Sequence, residues 1–343
     1  MTEKEVKTNI IGLTKDDYKG APSTLCSGCG HDSITSHIIT AYYEMGIPPH
    51  MIAKSSGIGC SSKTPAYFIR AGHSINSVHG RMPTISTGAK LANRDLYVLG
   101  ISGDGDTASI GTNHFIHILR KNLDMVYIIE NNGVYALTKG QFSATADEGA
   151  TLKHGSVNDF LPIDCCELAV TLDCGYVARS FAGDPKQLVP LIKGAISHKG
   201  FSLVDVISPC VTFNNHEEST KSYSYMKDHD EKVNDVGYIP SYEEIQIDYE
   251  EGDLKQVTLH DGSSVSLKKL ARDYDPTNKY EVLQVIERAK REHVILTGLL
   301  YVNPDRKDLI DIINLTDTPL YSINEEDIKP SRETLSKIMN SYR

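Results

Sequence analysis

Two hydrophobic rhythms alternate along the chain. Residues 96–101 and 125–129 are short apolar runs, and 203–207, apolar but for Asp205, also reads as a strand, the pattern of strands buried on both faces. Between and around them, apolar residues recur every three or four positions. Ile34, Ile38, Ile39 and Tyr42 form one helical stripe, with Asp32 or Ser33 placed to cap it and Gly46, Pro48 and Pro49 placed to end it. Ala108, Gly111, Phe115, Ile118 and Leu119 form a second stripe, on a helix expected to start near Thr107. Further helices are expected at 84–93, 168–170, 184–198 and 281–292, and strands at 50–53 and 293–301. Residues 257–267 alternate around Asp261-Gly262, a hairpin pattern. Residues 1–20 and 140–163 lack periodicity and read as an arm and a loop. The alternation predicts an α/β fold with a central, mostly parallel sheet. A change in composition near residue 240, where 238–251 turns acidic and tyrosine-rich, divides the chain into a main domain at 1–240 and a C-terminal extension at 241–343. That extension is expected to pack on the main domain or on a partner subunit.

Composition narrows the class only a little. The 343 residues are 40% hydrophobic and 23% charged, as in an ordinary globular protein. A net charge of −10 speaks against nucleic acid as a partner. No apolar stretch has the length of a membrane span, and the first residues lack the apolar core of a signal peptide, so a cytoplasmic location with no membrane partner is expected. In a reducing compartment the seven cysteines are better read as ligands or buried thiols than as disulfides.

The chemistry gathers where predicted strands end. The run at 96–101 leads into Gly103-Asp104-Gly105-Asp106, and the run at 125–129 into Glu130-Asn131-Asn132-Gly133-Val134. In parallel sheets this edge binds ligands. Mg²⁺ takes oxygen ligands and shares them with phosphates. Asp104 can supply a carboxylate, Asn132 an amide oxygen and Val134 a backbone carbonyl. Gly105 would let the backbone approach a diphosphate that faces the N-terminus of the next helix. Asp106 reads as a helix cap or as a support for the metal and diphosphate. Separately, Cys26 and Cys29 form a Cys-x2-Cys pair, and Cys60 and Cys210 each follow a predicted strand. Spacing alone suits zinc as well as an iron–sulfur cluster. Cys165, Cys166 and Cys174 fit buried thiols, and His31 fits a loop-stabilising hydrogen-bond partner.

Gly-Asp-Gly followed at this distance by Asn-Asn is the thiamine diphosphate and Mg²⁺ motif. Taken with Leu25-Cys26-Ser27-Gly28-Cys29-Gly30-His31, Gly57-Ile58-Gly59-Cys60-Ser61-Ser62-Lys63-Thr64-Pro65, His79-Gly80-Arg81, Tyr135-Ala136-Leu137-Thr138-Lys139-Gly140-Gln141 and Ser208-Pro209-Cys210, it makes residues 20–225 resemble the β subunits of 2-oxoacid:ferredoxin oxidoreductases, nearest the two-subunit 2-oxoglutarate (KorB-like) branch. The resemblance implies a thiamine diphosphate-binding domain of the diphosphate type. It also implies CoA-dependent oxidative decarboxylation of a 2-oxoacid to acyl-CoA and CO2, with electrons passing through one [4Fe–4S] cluster to ferredoxin. By the same resemblance Cys26, Cys29, Cys60 and Cys210 hold that cluster, and Asp104, Asn132 and Val134 hold Mg²⁺. Ile58, Gly59, Cys60, Ser61, Ser77, Val78, His79, Gly80, Gly103, Gly105, Asp106, Ala136 and Leu137 border the cofactor. Lys139, Lys63 and His79 are the catalytic candidates, with Arg81 a further cation. Lys139 is placed to meet a second carboxylate, which favours 2-oxoglutarate over pyruvate or a broad range of 2-oxoacids. The carboxylate that activates the thiamine aminopyrimidine has no source in this chain. An α subunit is therefore expected to bring it, in a heterodimer or a dimer of heterodimers. A zinc-stabilised, non-catalytic subunit is the alternative from another class.

Overall fold

The structure is a computed structural model and describes residues 7–151, 155–241, 254–259, 263–269 and 274–342. In chain order its strands are β1 (Ile52–Ser56), β2 (His73–Asn76), β3 (Tyr97–Gly103), β4 (Met125–Asn131), β5 (Val134–Tyr135), β6 (Gln141–Phe142), β7 (Tyr176–Phe181), β8 (Phe201–Ile207), β9 (Asp230–Lys232), β10 (Asn234–Ile239), β11 (Leu254–Thr258), β12 (Ser264–Lys269) and β13 (Ile295–Val302). The helices that matter here are α1 (Gly30–Met45), α2 (Met82–Ala92), α3 (Thr112–Lys121), α4 (Cys165–Thr171), α5 (Pro185–Ser197), α6 (Tyr223–His229) and α7 (Lys279–Glu292).

Eight strands form one sheet in the order β2-β1-β3-β4-β8-β7-β13-β9. From β2 to β7 every pairing is parallel. β13 then runs antiparallel to β7 and parallel to β9. The chain leaves β1 for β2 on one side and returns through α2 to β3 on the other. The sheet's topological switch therefore lies between β1 and β3, where open α/β sheets form their ligand crevice. The central strands β4 and β8 are buried at every residue, which explains why they are largely apolar.

Each face of the sheet has its own core. Ile34 and Ile38 of α1 and Leu188 and Leu191 of α5 are sealed against one face. Met82 of α2, Phe115 and Ile118 of α3, Val170 of α4 and Ile286 of α7 are sealed against the other. Each such side chain contributes about 1.5–3 kcal/mol by leaving water, so the helical stripes fix which side of the sheet each crossover takes.

Several local expectations change. Pro48 and Pro49 turn residues 49–51 into a 3-10 turn, so the strand expected at 50–53 is Ile52–Ser56. Its second half, Lys54-Ser55-Ser56, is polar yet buried and gave no hydrophobic signal. β2 is exposed throughout and equally silent. Helix α1 starts at Gly30, with Cys29 in the cap position, ahead of both Asp32 and Ser33. The cause is tertiary: Gly30 N–H donates to Pro209 O at 3.2 Å, and a Cβ at Gly30 would meet Ser208 Oγ at 2.6 Å. Residues Gly105–Ile110 form a π-helical turn before α3, where an ordinary helix from Thr107 was expected. Gly111 N–H reaches back to Asp106 O at 2.8 Å and closes that wide turn.

Beyond residue 240, α7 and β13 complete the sheet and one of its cores. β11 and β12 form the expected antiparallel hairpin beside β10. Its turn, 260–262, and most of the acidic stretch 238–251 lie outside the described residues.

Candidate functional site

The carboxyl ends of β1, β2, β3, β4 and β8 share one edge, so residues 57–63, 77–80, 103–106, 132–142 and 208–214 meet there. A cleft between the β1 and β3 ends is lined by Ile58, Gly59, Cys60, Ser61, Gly103, Asp104, Gly105, Asp106, Asn132, Val134 and Ala136, all singled out in the sequence, together with His31, Glu130 and Tyr135. Wider depressions lie near the amino end of the sheet around Tyr97 and Ile196, where Lys90–Asp124 and Lys193–Glu44 pair with each other.

Asp104 sits at the centre of a prepared carboxylate site. Its Oδ1 accepts from Asn132 N–H at 3.1 Å, and its Oδ2 accepts from Thr145 Oγ1 at 2.7 Å and from the Ser143 hydroxyl. Burial nevertheless outweighs these donors and raises its pKa above the usual 3.8. A buried carboxylate whose own chain leaves it short of compensation is suited to a cation. Asn132 Oδ1 accepts from Val134 N–H at 3.0 Å, and Asn214 Nδ2 donates to Asn132 O at 2.8 Å, tying the loop after β8 to the loop after β4. Ser143 and Thr145 lie in the stretch read from sequence only as a loop.

Asp106 does not cap a helix. Its Oδ1 accepts from Gly80 N–H at 2.7 Å and its Oδ2 from Ser102 Oγ at 3.0 Å, so it fastens the His79-Gly80-Arg81 loop to β3. Gly105 also has a steric reason within the chain. A Cβ there would meet the Tyr135 ring at 2.5 Å, and Tyr135 Oη donates to Gly105 O at 2.8 Å.

The cysteines meet at the same edge. Cys26 is exposed, Cys60 partly buried, and Cys29 and Cys210 are buried. Thr212 Oγ1 lies 3.5 Å from Cys26 Sγ, which links the first cysteine loop to the last. Burial, with further repulsion from Glu130, Cys210 and Cys60, pushes the Cys29 thiol up to about 12, and burial raises Cys60. Among the described residues no three His, Cys, Asp or Glu side chains are grouped to hold a single metal ion. Cys165, Cys166 and Cys174 are buried within the second core.

Between cleft and cysteines lies a group the sequence reading passed over. Glu130, the last inward residue of β4 before the amide pair, is fully buried, and neither carboxyl oxygen has a hydrogen-bond partner. Thr64 faces it but donates to Ser61 O at 2.8 Å. Burial holds Glu130 far above the ordinary carboxylate range, and burial lowers His31 to about 4. His31 Nε2 approaches Glu130 Oε2 at 3.8 Å, and burial disfavours the charged form of both groups. His31 Nδ1 and Ser208 Oγ share a hydrogen bond of 2.6 Å, the stabilising role expected for this histidine.

The remaining candidates stand on the rim. Val78, His79, Leu137 and Lys139 are exposed, Lys63 is half-buried, and Ser77 is buried with its hydroxyl donating to Ser56 O at 2.7 Å. Lys139 has a left-handed backbone, φ 78°, which a non-glycine residue adopts only where its surroundings hold it. Gly140, the next residue, packs on Phe213, where an added Cβ would stand 2.7 Å from the ring. Behind the cysteine loop, buried Lys54 donates from Nζ to Pro65 O, Phe68 O and Ile69 O at 2.8, 2.6 and 2.8 Å. That clamp was invisible in sequence because a lysine in a strand reads as a surface residue.

Residues 57–206 match the family model of the thiamine pyrophosphate enzyme C-terminal TPP binding domain. A "2-oxoacid:ferredoxin oxidoreductase subunit beta" from Saccharolobus solfataricus is 40% identical over 234 residues, covering 67% of this chain and 73% of that one. The "2-oxoglutarate synthase subunit KorB" of Methanocaldococcus jannaschii is 40% identical over 195 residues, 56% of this chain and 71% of that one. Among solved structures, a 2-oxoglutarate:ferredoxin oxidoreductase from Magnetococcus marinus, with 2-oxoglutarate, coenzyme A and succinyl-CoA bound, aligns at a TM-score of 0.71 and 29% identity, covering 93% of this chain and 97% of that chain. The chain belongs to the family of 2-oxoacid:ferredoxin oxidoreductase beta subunits. It is an oxidoreductase subunit with a thiamine diphosphate-binding domain.

Proposed function

We propose that this beta subunit forms, with its alpha partner, a 2-oxoglutarate:ferredoxin oxidoreductase, converting 2-oxoglutarate and coenzyme A to succinyl-CoA and CO2 and passing two electrons to ferredoxin, a reaction reversible in principle. In this reading Asp104, Asn132 and the Val134 carbonyl hold Mg²⁺ on the diphosphate, and Cys26, Cys29, Cys60 and Cys210 hold one [4Fe–4S] cluster. The observation that carries it is the double position of Cys60, which lines the Asp104 cleft and stands among the four cysteines. A relay between cofactor and cluster needs that adjacency, and a structural zinc does not.

Bound thiamine diphosphate supplies an electron sink for the loss of CO2. The chain's own residues do the rest by position. Asp104, short of compensation in its buried setting, offers its charge to the cation. Ser61, buried beneath the cleft, keeps the Gly59-Cys60 turn in place by donating to Ile58 O at 3.0 Å. Lys139, fixed in its unusual backbone, presents an ammonium at the rim for the distal carboxylate of a dicarboxylic substrate, and Lys63 and His79 stand on the same rim. The exposed Val78 and Leu137 mark the part of the rim that the alpha subunit covers. The M. marinus enzyme, whose structure holds 2-oxoglutarate, supports this substrate. Relatives named only for 2-oxoacids support a second reading, a broad-specificity or pyruvate enzyme.

The test is dye reduction at low potential by the reconstituted alpha–beta complex with 2-oxoglutarate and with pyruvate. A 2-oxoglutarate preference is expected, and Lys139→Ala should raise KM for 2-oxoglutarate far more than for pyruvate. A clear pyruvate preference overturns the substrate assignment, and equal KM effects overturn the role of Lys139.

A further inference from the structure

A buried polar chain crosses the sheet from the Asp104 carboxylate to the start of α4. Thr145 Oγ1 lies 2.7 Å from Asp104 Oδ2 and 3.1 Å from Asn131 Oδ1. Asn131 Nδ2 donates to Asp205 Oδ1 at 3.1 Å. Arg179 donates from Nε to Asp205 Oδ2 at 3.1 Å and from Nη2 to Asp164 Oδ1 at 2.5 Å. Asp164 in turn caps α4 through Cys166 N–H and Glu167 N–H. Thr145, Asn131, Asp205 and Arg179 are all buried, and none of them lines the cleft.

The hydroxyl of Thr145 has one proton and three oxygens in reach, Asp104 Oδ2, Asn131 Oδ1 and, at 3.0 Å, Ser143 Oγ, whose own proton goes to Asp104 Oδ2. How firmly it holds Asp104 depends on how well Asn131 Oδ1 competes for that proton. Asp205 decides this. Its carboxylate admits only the NH2 end of the Asn131 amide, since the oxygen end would place two acceptors face to face, so Oδ1 must point at Thr145. Donation from the amide into a carboxylate paired with Arg179 also polarises Asn131 and makes its oxygen a better acceptor. The competition draws the Thr145 proton partly away from Asp104 and leaves Asp104 lone pairs free for a cation.

We infer that the Arg179–Asp205–Asn131 relay is a positioning device for the cation site, acting on Asp104 through the Thr145 hydroxyl. The inference rests on the reading of Asp104 as a cation ligand. It assigns a function to Asp205, Arg179 and Asn131, which would otherwise only hold β4, β7 and β8 together.

Mn²⁺ titration of the intact alpha–beta complex with saturating thiamine diphosphate tests it, with free Mn²⁺ counted by electron paramagnetic resonance and melting temperature recorded in parallel. Asp205→Asn should weaken Mn²⁺ binding about tenfold. In a Thr145→Val background the same substitution should change binding by less than about twofold, because the group through which it acts is gone. Thr145→Ser, which keeps the hydroxyl, should restore the dependence on Asp205. Equal losses in both backgrounds, or a fall in melting temperature with unchanged Mn²⁺ binding, overturn the relay and leave a purely structural ion pair. If Asp205→Asn fails to assemble, Asn131→Leu replaces it in the same comparison, since it removes the competing acceptor directly. A wild-type complex that binds thiamine diphosphate but no Mn²⁺ overturns the cation assignment and the relay with it.

Discussion

Asp104→Asn separates what this carboxylate does for the fold from what it does for a ligand. Without metal, Asp104 is buried and its pKa is raised by that burial against three hydrogen bonds. A group with a raised folded-state pKa contributes stability that is present below its unfolded value of 3.8 and is lost as pH rises through the folded value. At neutral pH the metal-free chain therefore carries an unfavourable buried charge. Asparagine keeps the acceptor for Asn132 N–H, and Thr145 can turn its proton to Asn131 Oδ1. The metal-free melting point should move by no more than about 1 kcal/mol's worth in either direction. The ligand effect is larger. Mg²⁺ and thiamine diphosphate at a hundredfold excess over Kd stabilise the folded state by about 2.7 kcal/mol, which raises Tm by roughly 4 °C for an unfolding unit of 343 residues. Calorimetry of the alpha–beta complex with and without Mg²⁺ and thiamine diphosphate reads both. The expected result is a wild-type Tm rise and none for Asp104→Asn, with the two metal-free melts nearly superposed. A variant that keeps the rise, or that melts far lower than wild type without ligand, refutes the argument.

Gly105→Ala drives a methyl group to 2.5 Å from the Tyr135 ring; such overpacking costs about 1–3 kcal/mol, and an unchanged Tm by calorimetry would contradict it. Loading iron or zinc onto metal-free protein should release protons and proceed faster as pH rises, because Cys29 is held as a thiol up to about 12; proton uptake, or no pH dependence in stopped-flow loading, would contradict this. Lys54→Met leaves three buried carbonyls without their shared donor. It should lower Tm and speed amide hydrogen exchange across residues 57–69, and unchanged exchange there would dismiss the clamp.

The parallel sheet and the loops at its ligand-binding edge were legible because their signals are local. Largely apolar segments mark β4 and β8, and the Asp104 and Asn132 loops sit directly at strand ends. What escaped was set by partners far along the chain. The start of α1 is fixed by Pro209 and Ser208, so Asp32 and Ser33 were reasonable but wrong caps. Asp106 resembles a cap in sequence, yet its partners are Gly80 and Ser102. Lys54, Asp205 and Arg179 are charged residues in strands, which periodicity assigns to the surface; three carbonyls around Lys54 and the pairing of Asp205 with Arg179 make their burial possible. Glu130 gave a weak clue, an acid ending an otherwise apolar strand, and its lack of a partner became visible only in three dimensions.

The proposed function requires a redox cluster beside the thiamine site within one subunit. Its most direct test is metal and sulfide analysis of the anaerobically purified alpha–beta complex, followed by low-temperature electron paramagnetic resonance after addition of 2-oxoglutarate and coenzyme A. About four irons and four sulfides per beta chain are predicted, with a reduced-cluster signal that appears on adding substrate and is absent from a Cys210→Ala complex. One zinc per beta chain, with no iron and no substrate-dependent signal, would contradict the account.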